Sequence, residues 1–555
     1  MTIRRALFGQ IVLGVALGAC AQREGEADPS PISQTGGATA GGRGAALGGR
    51  NNAAGNPASG GSDSGGRPDK PPASGGAWSS ASGGGNAVAS GGRTTNTTGG
   101  TTSVGGGVSA LGGAPAMQGG AASALGGAAA GGRTSSAGGA ASGGAGASDP
   151  ARVVGYFAQW GIYQRAYRVK NIAESGAAAG LTVINYAFGN VVNGACVMVS
   201  RAGVGDAFAD YQKSFAAEES VDGAADTWDQ KLKGNFNQLK KLKARYPNIK
   251  VLISIGGWTW SKGFSDAALT AESRAAVVKS CIDLYIRGDL PMLDGDPAGG
   301  PGAAAGVFDG IDIDWEYPAM AGDVGSVYRD EDTKNFTLLL AEFRRQLTAI
   351  DPKLLLTIAA PAGKPQSDKI ELGAIHQHLD WINLMTYDMH GAWDAKGPTD
   401  FHSPLYTSPD EPTSAGAAEL SSDATVTRYL NAGVPSSKLT LGIPFYGRGW
   451  SGVAGSSHGL YQTTTGPAPG TYEAGIEDYK VLVARKAPGF RDSKAGAYWT
   501  FDGNEFWSFD DPENIRLKTE YIRSKRLGGV MVWSLDGDTK DGELMRAVAS
   551  GMARP

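Results

Sequence analysis

From residue 151 onward, two hydrophobic rhythms alternate. Short runs that are apolar on both faces and rich in β-branched residues fall at Val153–Phe157, Thr182–Phe188, Lys250–Ile255, Gly310–Asp314, Leu354–Ala359, Trp381–Met385, Leu439–Ile443 and Gly529–Trp533. Such runs predict parallel strands covered on both sides. Between several of them, apolar residues recur at three- and four-residue spacing, which predicts helices over Lys231–Tyr246, Ala271–Ile286, Thr333–Ile350 and Asp511–Lys525. Two gaps are too long for ordinary connections, Val191–Asp229 and Gly447–Ala497. The second holds Tyr461, Tyr472, Tyr479 and Val481-Leu482-Val483, enough for a small α+β subdomain over 447–497. A doubly wound open sheet would show fewer strands and a Gly-rich first turn. Eight strand–helix repeats predict an α/β fold, a (β/α)8 TIM barrel filling 151–555, with that insertion between the seventh and eighth strands beside the catalytic rim.

The first 150 residues follow neither rhythm. They hold 41 of the 86 glycines, and only Phe8 and Trp78 of the 46 aromatic residues. Such a segment cannot bury enough apolar surface to offset its chain entropy, so a disordered N-terminal third is predicted. Residues 1–19 have Arg4 and Arg5 ahead of a short apolar stretch from Leu7 to Ala19, which reads as an export signal rather than a spanning helix. Leu17-Gly18-Ala19-Cys20 has the look of a bacterial lipobox, with cleavage before Cys20 and lipid on its thiol; the alternative is a plain secretory signal. Residues 20–150 read as a Gly/Ala/Ser-rich linker with a reach of roughly 60 Å.

A formal charge of −4 and the absence of a Lys/Arg run exclude a typical nucleic-acid binder. Three cysteines (Cys20, Cys196, Cys281) make neither a disulfide scaffold nor a thiolate zinc site, and whether Cys196 pairs with Cys281 stays open. The five histidines show no metal-ligand spacing, and no cofactor or metal is expected.

The chemistry concentrates in Asp309-Gly310-Ile311-Asp312-Ile313-Asp314-Trp315-Glu316-Tyr317-Pro318. Alternation puts Asp312, Asp314 and Glu316 on one face, pointing into a barrel and rising to its mouth, while Asp309 has the opposite parity and a structural role. Acids spaced about 6–7 Å apart in a low-dielectric interior repel, so at least one keeps its proton near neutrality. A glycosidic general acid needs that property, and Glu316 is best placed to reach a substrate. A hard-metal site or an ion-paired strand is the competing reading.

These residues carry a resemblance. Asp309-x-x-Asp312-x-Asp314-x-Glu316 resembles the DxxDxDxE signature of glycoside hydrolase family 18 chitinases. Ser254-Ile255-Gly256-Gly257-Trp258, Met385-Thr386-Tyr387-Asp388, Tyr446-Gly447-Arg448-Gly449-Trp450 and Gly528-Gly529-Val530-Met531-Val532-Trp533 resemble that family's further motifs, in order, and the long insertion resembles that of its bacterial deep-cleft subfamily. The resemblance implies substrate-assisted, retaining hydrolysis of β-1,4-linked N-acetylglucosamine polymers. It implies Glu316 as the acid, Asp314 as the group that orients the acetamido arm, and Asp312 as its proton partner. Tyr387 would bond the acetamido carbonyl and Asp388 would hold the sugar. Tyr156 and Ser254 would support Asp312, and Trp533 would floor the site, with Met385 and Tyr317 among the substrate-binding residues.

Eleven of the twelve tryptophans lie after residue 150. Trp160, Trp258 and Trp393 follow predicted strands at the expected mouth, where indole faces stack on sugars; the resemblance implies Trp160 for the glycone side and Trp258 and Trp393 for the aglycone side. Trp315 and Trp381 are expected in the core. Arg448 either contacts sugar hydroxyls in the cleft, the reading preferred here, or pairs with an acid. The expected partner is chitin and its oligosaccharides, bound by a monomer that meets the membrane only through lipid on Cys20, outside the cell or in its envelope. The alternatives are a non-catalytic chitin-binding lectin and an endo-β-N-acetylglucosaminidase. Relatives of the first kind typically lose the acid corresponding to Glu316, and those of the second usually lack the insertion.

Overall fold

A computed structural model describes residues 151–412 and 419–553. The signal segment 1–19, Cys20 and the linker 20–150 lie outside the described residues. Eight parallel strands, Arg152–Ala158, Val183–Val192, Lys250–Gly256, Gly310–Asp314, Leu355–Pro361, Trp381–Met385, Leu439–Pro444 and Gly529–Trp533, pair in chain order. The first pairs with both the second and the eighth, closing the barrel.

Two cores follow from strand alternation. Ile311 and Ile313, fully buried, face outward into the large cluster between strands and helices. Trp315 joins them, 5.4 Å from the rings of both Phe264 and Phe336. The inward positions form a smaller cluster, Val154, Tyr156, Leu252, Trp381 and Met531 among them, beside a column of polar groups. Helices begin where capping chemistry allows. The Thr270 hydroxyl accepts the Ser273 N–H ahead of Ala271–Cys281, and Asp511 accepts that of Asn514 ahead of Pro512–Lys525, where Pro512 costs no internal bond. The helix expected over Ala271–Ile286 changes character near its end: Ile282–Ile286 is a wider π-type turn.

The gap after the second strand contains a short strand, Ala195–Val197, paired antiparallel to that strand. Cys196 in it forms a disulfide with Cys281 across 85 residues. The region before the eighth strand builds a separate, mainly antiparallel sheet that starts at Tyr446 and runs through Phe506–Ser508. It therefore extends past the expected limit of residue 497, because Ala497–Phe501 and Phe506–Ser508 pair with each other and not with the barrel. Its own core gathers Trp450, Leu460, Trp499, Phe501 and Phe506, with Phe401 from the loop after the sixth strand.

Candidate active site

The fourth barrel strand raises its acids in three steps. At its foot Asp309 faces away, accepts the Val251 N–H at 2.9 Å and pairs with Lys243 at 2.7 Å. One level up, Asp312 is fully buried. Tyr156 and Ser254 donate to its Oδ2 at 2.7 and 2.8 Å, while Thr357 and Asn383 donate to Oδ1. Burial raises this carboxyl, and the four donors oppose that shift. Hydrogen bonds to a charged group contribute about 1.5–3 kcal/mol each, so four offset much of the desolvation. Thr357 and Asn383 were not singled out by the sequence; their signal is inward parity on the two strands that follow.

Asp314 and Glu316 stand above it, 4% and 3% exposed. No cation pairs with either among the described residues, and Oδ1 of Asp314 is buried without a partner. Burial, then the charges of Glu316 and Asp312, push the Asp314 carboxyl well up. Burial likewise pushes Glu316 up to about 8, with Tyr317 opposing and Asp388 adding to the rise. Two acids so close titrate as a pair. Ser261 fixes their backbone: its hydroxyl donates to the Asp314 carbonyl at 3.0 Å and accepts the Glu316 N–H at 2.9 Å. That residue too escaped the sequence reading.

Asp388, just past the sixth strand, behaves oppositely. Burial would raise it, but Arg448 donates to its Oδ1 at 2.7 Å and holds the carboxyl far below the usual range. Arg448 is therefore not a free cleft residue as preferred from sequence; it is 3% exposed and paired with this acid. Tyr387 keeps its proton because burial and Asp314 raise it, and its hydroxyl meets only the Met531 sulfur at 3.8 Å.

These groups converge on a pocket open to solvent. Tyr156, Asp314, Glu316, Tyr317, Met385, Tyr387, Asp388 and Trp533 line it, together with Phe188, Gln366 and others not singled out by sequence. Trp533 stacks on Phe188 at 5.6 Å and meets Tyr156 at 5.3 Å, making an aromatic wall. Trp160 extends it, 6.5 Å from Trp533, outside the pocket lining. Trp258 is buried with its edge on Tyr317, and Trp393 packs under the Arg448 guanidinium at 5.1 Å; neither lines the pocket. Ser254 is fully buried and serves Asp312 alone.

The profile of glycosyl hydrolases family 18 matches residues 152–538. Chitinase C of Streptomyces lividans is 44% identical over 398 residues, covering 71% of this chain and 58% of that protein. Chitinase A1 of Niallia circulans is 37% identical over 438 residues, covering 71% and 57%. The chain thus spans less than two thirds of the length of these relatives. Among solved structures, the catalytic domain of psychrophilic chitinase B from Arthrobacter TAD20 superposes with a TM-score of 0.69 at 44% identity, covering 72% of this chain and 95% of that one.

Proposed function

The chain belongs to glycosyl hydrolases family 18, and from that premise we propose that it is a chitinase cleaving β-1,4 bonds between N-acetylglucosamine units with retention of configuration. The observation that carries this reading is the unpaired acid couple: Glu316 holds a proton to about 8 at the wall of the pocket, beside an Asp314 oxygen with nothing bonded to it.

Each group then has a task. Glu316 gives its proton to the glycosidic oxygen as the C–O bond breaks. The carbonyl oxygen of the substrate's own acetamido arm attacks the anomeric carbon and forms an oxazolinium ring, so the protein needs no nucleophile. Asp314, which burial and its two acidic neighbours keep protonated at rest, passes that proton to Asp312; its freed charge then stabilises the cation while its open oxygen accepts the acetamido N–H. The Tyr387 hydroxyl, with only a thioether for company, donates to the acetamido oxygen. Water then opens the ring, Glu316 takes its proton, and the β-anomer leaves. Incubation with an N-acetylglucosamine hexamer tests the reading. Shorter oligomers released first as β-anomers are expected. Binding without cleavage would favour the lectin, and cleavage of glycoprotein glycans alone would favour the endo-β-N-acetylglucosaminidase.

The deep-cleft subfamily is part of this proposal, supported by the sheet from Tyr446 to Ser508. So are export, lipid on Cys20, residence in the outer envelope and a monomeric state. The Cys196–Cys281 disulfide supports an oxidising compartment. Cys20→Ala is expected to abolish labelling by radioactive palmitate and release the chain from the membrane fraction; unchanged labelling would refute the anchor.

A further inference from the structure

The loop after the sixth barrel strand carries a second group of ionisable side chains that the hydrolytic site does not use. Asp400 is 4% exposed. Its Oδ1 accepts the Phe401 N–H at 2.7 Å, whereas its Oδ2 faces Nε2 of His390 at 3.8 Å, too far for a hydrogen bond. Glu411 completes the group: one ligand atom each from His390, Asp400 and Glu411 lie within 4.8 Å of one another. The Oε1 atom of Glu411 is buried and has no partner. Among the described residues, no lysine or arginine pairs with either carboxylate.

A buried acid with no cation is costly unless something neutralises it. At Asp312 four donors do so, and at Asp388 Arg448 does. Among the described residues, only the Phe401 N–H serves Asp400 and no cation serves either Asp400 or Glu411, which instead converge on an imidazole nitrogen.

We propose that His390, Asp400 and Glu411 bind one divalent cation of the borderline class, with zinc the preferred ion and a water in the remaining position. The donor set selects the class. Zinc takes imidazole and carboxylate ligands in a tetrahedron of about 2.0–2.2 Å bonds, whose ligand atoms stand roughly 3.3–3.6 Å apart. The 3.8 Å between Nε2 and Oδ2 needs a contraction of a few tenths of an ångström, and the widest pair of the set, within 4.8 Å, one of at most roughly 1.5 Å, within reach of the Glu411 side chain. Calcium wants about six to eight oxygens, and this group offers two carboxylates and a nitrogen. The ion's role is structural. Asp400 precedes Phe401, whose ring packs 5.5 Å from Trp499 of the inserted sheet, and His390 lies two positions beyond Asp388. A bound ion ties the loop to the wall beside the barrel mouth.

Isothermal titration and thermal unfolding of the untagged full chain, stripped with chelator, test the site with zinc, calcium and magnesium chlorides. One equivalent of zinc, bound saturably and raising Tm, is expected. Glu411→Gln and Asp400→Asn are each expected to weaken that equivalent at least tenfold, and His376→Ala to leave it intact. Should Asp400→Asn fail to fold, Glu411→Gln at a half-buried position carries the test. Absence of saturable zinc binding, preference for calcium, or undiminished zinc affinity in Glu411→Gln overturns the proposal.

Discussion

Asp388 and Glu316 are largely buried acids at the wall of the same pocket, and they end in opposite protonation states. Asp388 has the Arg448 guanidinium at 2.7 Å and stays ionised far into acid. Glu316 has Asp314 below it and no cation, and its proton persists to about 8. Burial raises both groups; the neighbour decides the sign. Asp312 is a third case, with its charge spread over four donors. One strand and one loop thus supply a proton donor, a fixed anion and a braced reservoir from the same functional group.

The largest effect expected from breaking this contrast is on turnover. Glu316→Gln keeps the shape of the acid and removes its proton, so kcat/KM on chitin oligomers should fall by about 10²–10⁴ while oligosaccharide affinity persists. Arg448→Met attacks the other side. It strands Asp388 in the interior, and equilibrium denaturation should show a loss of about 3–5 kcal/mol. Asp388→Asn added to Arg448→Met should recover part of that loss, because the stranded charge is gone.

A third prediction reads the contrast as stability. Glu316 has a folded value near 8 against an ordinary 4.5, so the folded state holds the proton more tightly. Its contribution to stability is therefore largest in acid and declines as pH rises through that window. Glu316→Gln removes the penalty. The variant should exceed the wild type by under ~1 kcal/mol near pH 5 and by on the order of 4 kcal/mol near pH 8, measured by denaturation at both. The smallest effect is at the rim. Trp393→Ala should slow polymer hydrolysis a few-fold more than hydrolysis of short oligomers, and an equal loss on both would remove Trp393 from the sugar track.

Much of this was legible in the sequence, for reasons that particular residues show. The eight barrel strands are apolar on both faces, so their runs stand out, and observed ends differ from predicted ones by only a few residues. Parity alone separated Asp309 from the three inward acids. The inserted sheet was harder: Phe506–Ser508 is three residues long and its neighbours carry no alternation, so its end was missed. Contacts between distant elements were harder still. No local pattern in Thr357, Asn383 or Ser261 reveals that the first two brace Asp312 and the third fixes Glu316. Nothing near Arg448 announces that it closes on an acid 60 residues earlier. His390, Asp400 and Glu411 are spread over one loop at spacings that match no metal motif, and only folding assembles them.

The account rests on the proton held by Glu316, and carboxyl-selective ¹³C NMR observes it directly. With labelled glutamate, the resonance lost in Glu316→Gln should titrate with a midpoint near 8 in the wild-type chain. A midpoint near the ordinary value of 4.5 would show that the acid is already ionised at neutrality, and would contradict the account.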